Sequence, residues 1–125
     1  MNEATVTPLD KFGALVMQRL RDVAIKNHIL LQRGHWKAPE LQVLQNEVAE
    51  LPPATKALLL RCVVDAVDVG IHDFLFALQK SHEMKEGIEV FVDGTNIAAA
   101  SDGLHGEPFG EKGWRSNFSK SIESS

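Results

Sequence analysis

The segment from Lys56 to Gln79 constrains this chain more than any other. Its polar residues Arg61, Asp65, Asp68, His72 and Gln79 recur at steps of four, three, four and seven, and almost everything between them is Leu, Val, Ile, Phe, Ala, Cys or Gly. At about 100° per residue the five fall within a sector of roughly 60°. A helix that is oily on nearly every side belongs in the interior of a fold. Four ionisable side chains in one line must then meet water or be paired. A membrane span is not expected, because the oiliest window, 58–78, holds Arg61, Asp65, Asp68, His72 and Asp73.

The chain before this segment reads as two more helices. Thr7-Pro8 supplies an N-cap and a first-turn proline, after a short lead over residues 1–8. Leu9, Phe12, Val16, Leu20, Val23 and Leu30 or Leu31 give an apolar face, and Gly34 is the expected stop. The first helix is therefore predicted over about 8–32. After a connector containing His35, Trp36 and Lys37, Pro39 starts a shorter helix with Leu41, Leu44, Val48 and Leu51 on one stripe. Pro52-Pro53 closes it and opens the third, over about 53–80 or on to Glu83. Gly70 lies opposite the polar line, where it would permit a close helix approach. Cys62, Phe74 and Phe76 are expected in the core. Cys62 is the one cysteine, so no intrachain disulfide can form.

The pattern changes at Gly87. Ile88–Val92 and Thr95–Ala99 flank Asp93-Gly94, a hairpin signal in which both turn residues need positive φ. A glycine-rich loop follows over 101–113, and residues 114–118 read as a third strand, with Trp114 packing the sheet onto the helices. The expected fold class is α+β, mostly α: a three-helix bundle with a small C-terminal antiparallel β-hairpin or three-stranded sheet. The expected organisation is one domain over 1–125, divided into a bundle at 8–83, a hairpin and loop at 88–118 and a frayed tail at 119–125.

Charge narrows the function. The net charge is −4, and it is uneven: residues 1–37 carry six Lys or Arg against three acids, residues 38–125 seven against fourteen. An acidic C-terminal part favours basic partners and disfavours polyanions. Residues 1–5 lack the basic start of a secretory signal, so a cytoplasmic setting is expected.

Two places offer chemistry. In the polar line Arg61 and Asp65 are four apart, as are Asp68 and His72, so both pairs can interact along one face. If that face lines a cleft, Asp65, Asp68 and His72, with His105 from the loop, are the candidate catalytic residues for a small hydrolase or lyase. Metal binding by the same three is not supported, since neither Glu-x-x-His nor His-Glu-x-x-His is present. The second place is the loop itself. Ser101 lacks the Gly-x-Ser-x-Gly setting of a nucleophile, and Ser-Asp-Gly is turn chemistry. As an epitope, the loop offers Asp102, His105, Glu107, Phe109, Glu111 and Trp114 as partner-binding residues. No cofactor or metal is implied.

The function expected is a small acidic binding protein that inhibits or neutralises a partner protein, in the manner of an immunity or antitoxin protein facing a basic toxin or nuclease domain. The Asp/His enzyme is the alternative, and a helical structural or regulatory subunit, dimerising through the first helix, is a further one. Two observations separate them: His105 beside His72 or Asp68 would favour chemistry, and an exposed apolar patch would favour a subunit.

Overall fold

A computed structural model describes residues 6–120. The elements, in order, are α1 (Pro8–Leu15), a π-helical segment (Val16–Arg21), α2 (Asp22–Gln32), α3 (Pro39–Ala49), α4 (Pro53–Glu83), β1 (Phe91–Val92), β2 (Thr95–Asn96), α5 (Ile97–Ala100), a 3₁₀ turn (Leu104–Gly106) and α6 (Trp114–Phe118). The fold is mostly helical, with one two-stranded antiparallel sheet among the described residues.

The helix boundaries lie where local chemistry puts them. Thr7 Oγ accepts from the Asp10 N–H while the Asp10 carboxylate accepts from the Thr7 N–H, a reciprocal capping box. At the other end the Gly34 N–H reaches Leu31 O and the His35 N–H reaches Leu30 O, the pair of bonds that defines a Schellman stop. Between these ends the winding loosens at Val16–Arg21, where Val16, Met17 and Arg21 all face inward. Such π segments commonly place a side chain that regular α geometry would misdirect. Here that side chain is Arg21, 1% exposed.

The core gathers Val16, Met17, Ile71, Leu75, Leu78, Ile97, Ala98, Leu104 and Trp114. It therefore sits between α1, the C-terminal half of α4 and the residues after the hairpin. α2 lies between α3 and α4 and packs on both. Trp114 stands edge-on to Phe12 and lies so close to Gly13 that a Cβ there would fall 2.5 Å from the indole.

Several expectations are corrected. α4 is not buried all round: its buried residues are Ile71, Leu75, Leu78, Gln79 and Ser81, all in the C-terminal half. Phe74 and Phe76 are 58% and 44% exposed, and Cys62 is exposed too. The physical reason is that only one side of α4 is covered, and an apolar circumference does not say which. Gly70 has no neighbour within 4 Å of a built Cβ, so it mediates no close approach within the chain.

The hairpin turn is as expected, with φ of 51° at Asp93 and 82° at Gly94. Its strands are much shorter than 88–92 and 95–99. Phe91 pairs with Asn96 and Val92 with Thr95. Asn96 then caps α5, its side chain accepting from the Ala99 N–H, and this cap turns the chain into a helix where more strand was expected. Residues 114–118 form α6 in place of a third strand, started by Gly113 and held by the Trp114 N–H to Glu107 O and the Arg115 N–H to Pro108 O.

The start of the tail is tied down: Ser119 Oγ donates to Asp22 Oδ1 at 2.6 Å and the Lys120 N–H to Asp22 Oδ2 at 2.6 Å. The rest of the expected frayed tail, 121–125, and most of the expected flexible lead, 1–5, lie outside the described residues.

Candidate functional site: the loop over helix α4

The glycine-rich loop does not hang free; it lies across α4, and Gln79 is the clamp. The Leu104 N–H donates to Gln79 Oε1 at 2.9 Å, while Gln79 Nε2 donates to Ala98 O at 3.3 Å. Gln79 is 5% exposed and Leu104 1%. A buried amide satisfied on both sides in this way fixes the segment it bonds. Ser101 organises the next turn: its hydroxyl donates to Glu107 Oε2 at 2.6 Å and accepts from the Gly103 N–H at 3.0 Å. That is turn chemistry, with the hydroxyl used for structure.

With Leu104 anchored, His105 is carried onto α4. Its ring stands edge-on to His72, with centroids 5.6 Å apart, and edge-on to Phe76 at 5.0 Å. Phe109 completes the group at 6.1 Å from His72. His72 Nδ1 is 3.0 Å from Asp73 Oδ1. His105 Nδ1 is buried and has no hydrogen-bond partner among the described residues. Two imidazoles and two phenyl rings thus form one patch, with Phe76 44% and Phe109 40% exposed.

The polar line divides into parts with different fates. Asp68 is part-buried and accepts from Arg21 twice, Nε to Oδ1 at 2.6 Å and Nη2 to Oδ2 at 3.1 Å, and from Arg115 Nη1 at 3.3 Å. The expected Asp68–His72 pair is thereby replaced: a guanidinium delivered from the π segment offers two parallel bonds, which an imidazole one turn away cannot match. The expected Arg61–Asp65 pair is also not made. Both residues are exposed, and among the described residues neither enters an ion pair.

Two open hollows border the ring patch. One of about 280 Å³ is lined by Asp65, Asp68, Val69, His72, Phe109 and Arg115. The other, about 320 Å³, is lined by Asp102, Glu107, Phe109, Lys112 and three glycines of the loop. Of the partner-binding candidates, Asp102, Phe109 and Glu111 are exposed, and His105 and Glu107 are half-buried. Trp114 is 3% exposed and belongs to the core, so it is no surface anchor. Among the catalytic candidates, His72 and His105 meet, Asp68 is taken up by two arginines, and Asp65 faces solvent across the first hollow.

Sequence reasoning missed Arg21, Phe76 and Gln79 as parts of this site. The position of Gln79 in the polar line was the available signal, and Arg21 offered none. The described residues hold no group of three or more His, Cys, Asp or Glu placed for a metal ion. They include no helix long and apolar enough to cross a membrane. Comparison with protein-family models, with curated proteins and with solved structures finds nothing that matches this chain.

Proposed function

We propose that this chain is a non-enzymatic cytosolic binding protein that neutralises a basic partner protein, as an immunity or antitoxin protein does a toxin or nuclease domain. The observation that carries this is the ring patch of His72, Phe76, His105 and Phe109, exposed at its two phenyl rings and bordered by the carboxylates of Asp65, Asp73, Asp102 and Glu107, with Lys80, Lys112 and Arg115 also at its edge. An aromatic centre with a charged rim is the anatomy of an interaction hot spot. Carboxylates at the rim steer a basic partner and set its orientation. Burying what remains exposed of Phe76 and Phe109 contributes about 1 kcal/mol each. In this reading the helices over 8–83 act together as a three-helix bundle, a rigid platform on which Gln79 and Leu104 hold the loop.

The test is affinity capture from the source cell at low salt, with intact-mass identification. Recovery of one stoichiometric basic protein, lost on Phe109→Lys, is expected. Recovery of the free chain or its self-oligomer alone counts against the proposal.

The contact between His72 and His105, with the unpartnered His105 Nδ1, favours a second reading: a small hydrolase or lyase using Asp65, Asp68, His72 and His105. NMR titration of the five histidines and a metal assay separate the two. Coupled midpoints for His72 and His105, far from the usual 6.5, would support chemistry. Ordinary midpoints and no bound metal would count against it.

A further inference from the structure

The turn between α2 and α3 carries a hollow that shares no residue with the loop site. It measures about 300 Å³, and Arg33, Trp36, Lys37, Gln42, Gln45 and Asn46 are among the residues that line it. Its wall is pinned. Gln45, 6% exposed, accepts from the Trp36 N–H at 2.8 Å and donates to Trp36 O at 2.9 Å, and Gln42 Nε2 donates to Lys37 O at 2.9 Å. The His35 ring stands edge-on to Trp36, with centroids 4.8 Å apart. The charge in the hollow has one sign: among the described residues no carboxylate lines it, and neither Arg33 nor Lys37 enters an ion pair. On α3 the amides take the side that faces the hollow, while Glu40 and Glu47 lie about 150° or more around the helix from them and Glu50 about 90°. The carbonyls of Leu30 and Leu31, which would otherwise repel an anion at the end of α2, accept from the N–H groups of Arg33, Gly34 and His35.

We propose that this hollow binds a small anion of the mononucleotide class, with its phosphoryl group on Arg33 and Lys37 and its planar ring against Trp36. A guanidinium meets phosphoryl oxygens through two parallel bonds, and an ammonium adds a point charge. An indole accepts the π-face of any base. The Asn46 amide, which makes no hydrogen bond among the described residues, can meet the polar edge of the ring. At about 30 Å³ per water the hollow holds about ten waters, more than inorganic phosphate displaces and at the small end of ligand sites. A neutral aromatic molecule would leave both cations unused, and a bare anion would leave Trp36 unused. A nucleic-acid strand is less well matched, because beyond the hollow residues 38–125 carry seven Lys or Arg against fourteen acids and repel a polyanion. The three amide bonds that hold residues 36 and 37 on α3 mean that little ordering is left to do on binding.

NMR titration of the full chain with adenosine and uridine 5′-monophosphates tests this. The chain has two tryptophans, so two indole N–H signals report. That of Trp36 should move saturably with at least one of the two nucleotides, with half-saturation below about 1 mM, while that of Trp114, 3% exposed in the core, stays in place. Arg33→Ala/Lys37→Ala should weaken binding at least about 10-fold and leave the urea midpoint unchanged, since both side chains are exposed and unpaired. Inorganic phosphate and the free nucleosides should each bind at least about 10-fold more weakly than the better nucleotide. The loop variant Phe109→Lys should bind like the wild type, so loss of partner capture leaves this inference standing and loss of nucleotide binding leaves the proposed function standing. Half-saturation above about 1 mM for both nucleotides overturns the inference. So does a shift at Trp114 in place of Trp36, binding undiminished in the double variant, or inorganic phosphate binding as tightly as the nucleotides.

Discussion

Asp68→Ala is expected to destabilise the fold by about 3 kcal/mol. The carboxylate accepts two bonds from Arg21, whose side chain is 1% exposed, and one from Arg115, whose side chain is 41% exposed. Arg115 can turn to water when the carboxylate goes. Arg21 cannot, although it retains other contacts, among them Nη1 to Ser119 Oγ at 3.2 Å. Breaking one side of a buried pair typically costs about 3–5 kcal/mol. The surviving bond to Ser119 puts this case at the lower end. For a chain of 125 residues the unfolding entropy is about 0.26 kcal/mol/K, so the midpoint should fall by about 11 °C. Urea unfolding followed by far-UV circular dichroism would measure it, with an unchanged m-value showing that the unfolded state is not the source. Removing both partners, as Arg21→Met with Asp68→Leu, should recover most of the loss, because neither charge then has to be desolvated without the other. A loss below about 1 kcal/mol for Asp68→Ala would refute the reasoning, since that is what an exposed pair gives.

Three further outcomes are expected. Gly13→Ala should cost about 1–3 kcal/mol, measured as a lowered urea midpoint, because its Cβ would sit 2.5 Å from the Trp114 ring. Gln79→Leu should lower stability by about 1–3 kcal/mol by stranding the Leu104 N–H, while Ala98 O keeps the Ser101 N–H, and hydrogen exchange at Leu104 should rise more than exchange in α2. Burial pushes the pKa of His28 below its ordinary 6.5, so the unfolded chain binds the proton more readily. The stability this gives is complete above about pH 6.5 and is lost as pH falls through the folded-state value; the urea midpoint should therefore drop between neutral and mildly acidic pH, and less so in His28→Asn.

Much of the backbone was legible because its punctuation is local. Thr7-Pro8, Gly34, Pro39 and Pro53 each act through their own φ or their own side chain, and the first three helical stretches begin and end beside them. Asp93-Gly94 determined a turn for the same reason. What failed depended on distant partners. The apolar circumference of α4 does not reveal that one side is left uncovered, so it points Cys62, Phe74 and Phe76 to the core, whereas all three are exposed. The pairing of Asp68 with Arg21 joins residues 47 positions apart and depends on a π segment that no sequence period announces. The strand expected at 114–118 became α6 because Gly113 and the Glu107 and Pro108 carbonyls start a helix there. The candidate site was half legible: the polar line and the loop were both singled out, and their meeting through Gln79, His72 and His105 was not derivable from spacing.

The most direct test of the loop face is a paired capture from the source cell with the wild type, with Phe76→Lys/Phe109→Lys and with Arg33→Ala/Lys37→Ala. One basic protein should come down with the wild type and with Arg33→Ala/Lys37→Ala, and be missing from the double loop variant. Equal recovery on all three, or a stoichiometric partner on none, would contradict the assignment of this face to partner binding.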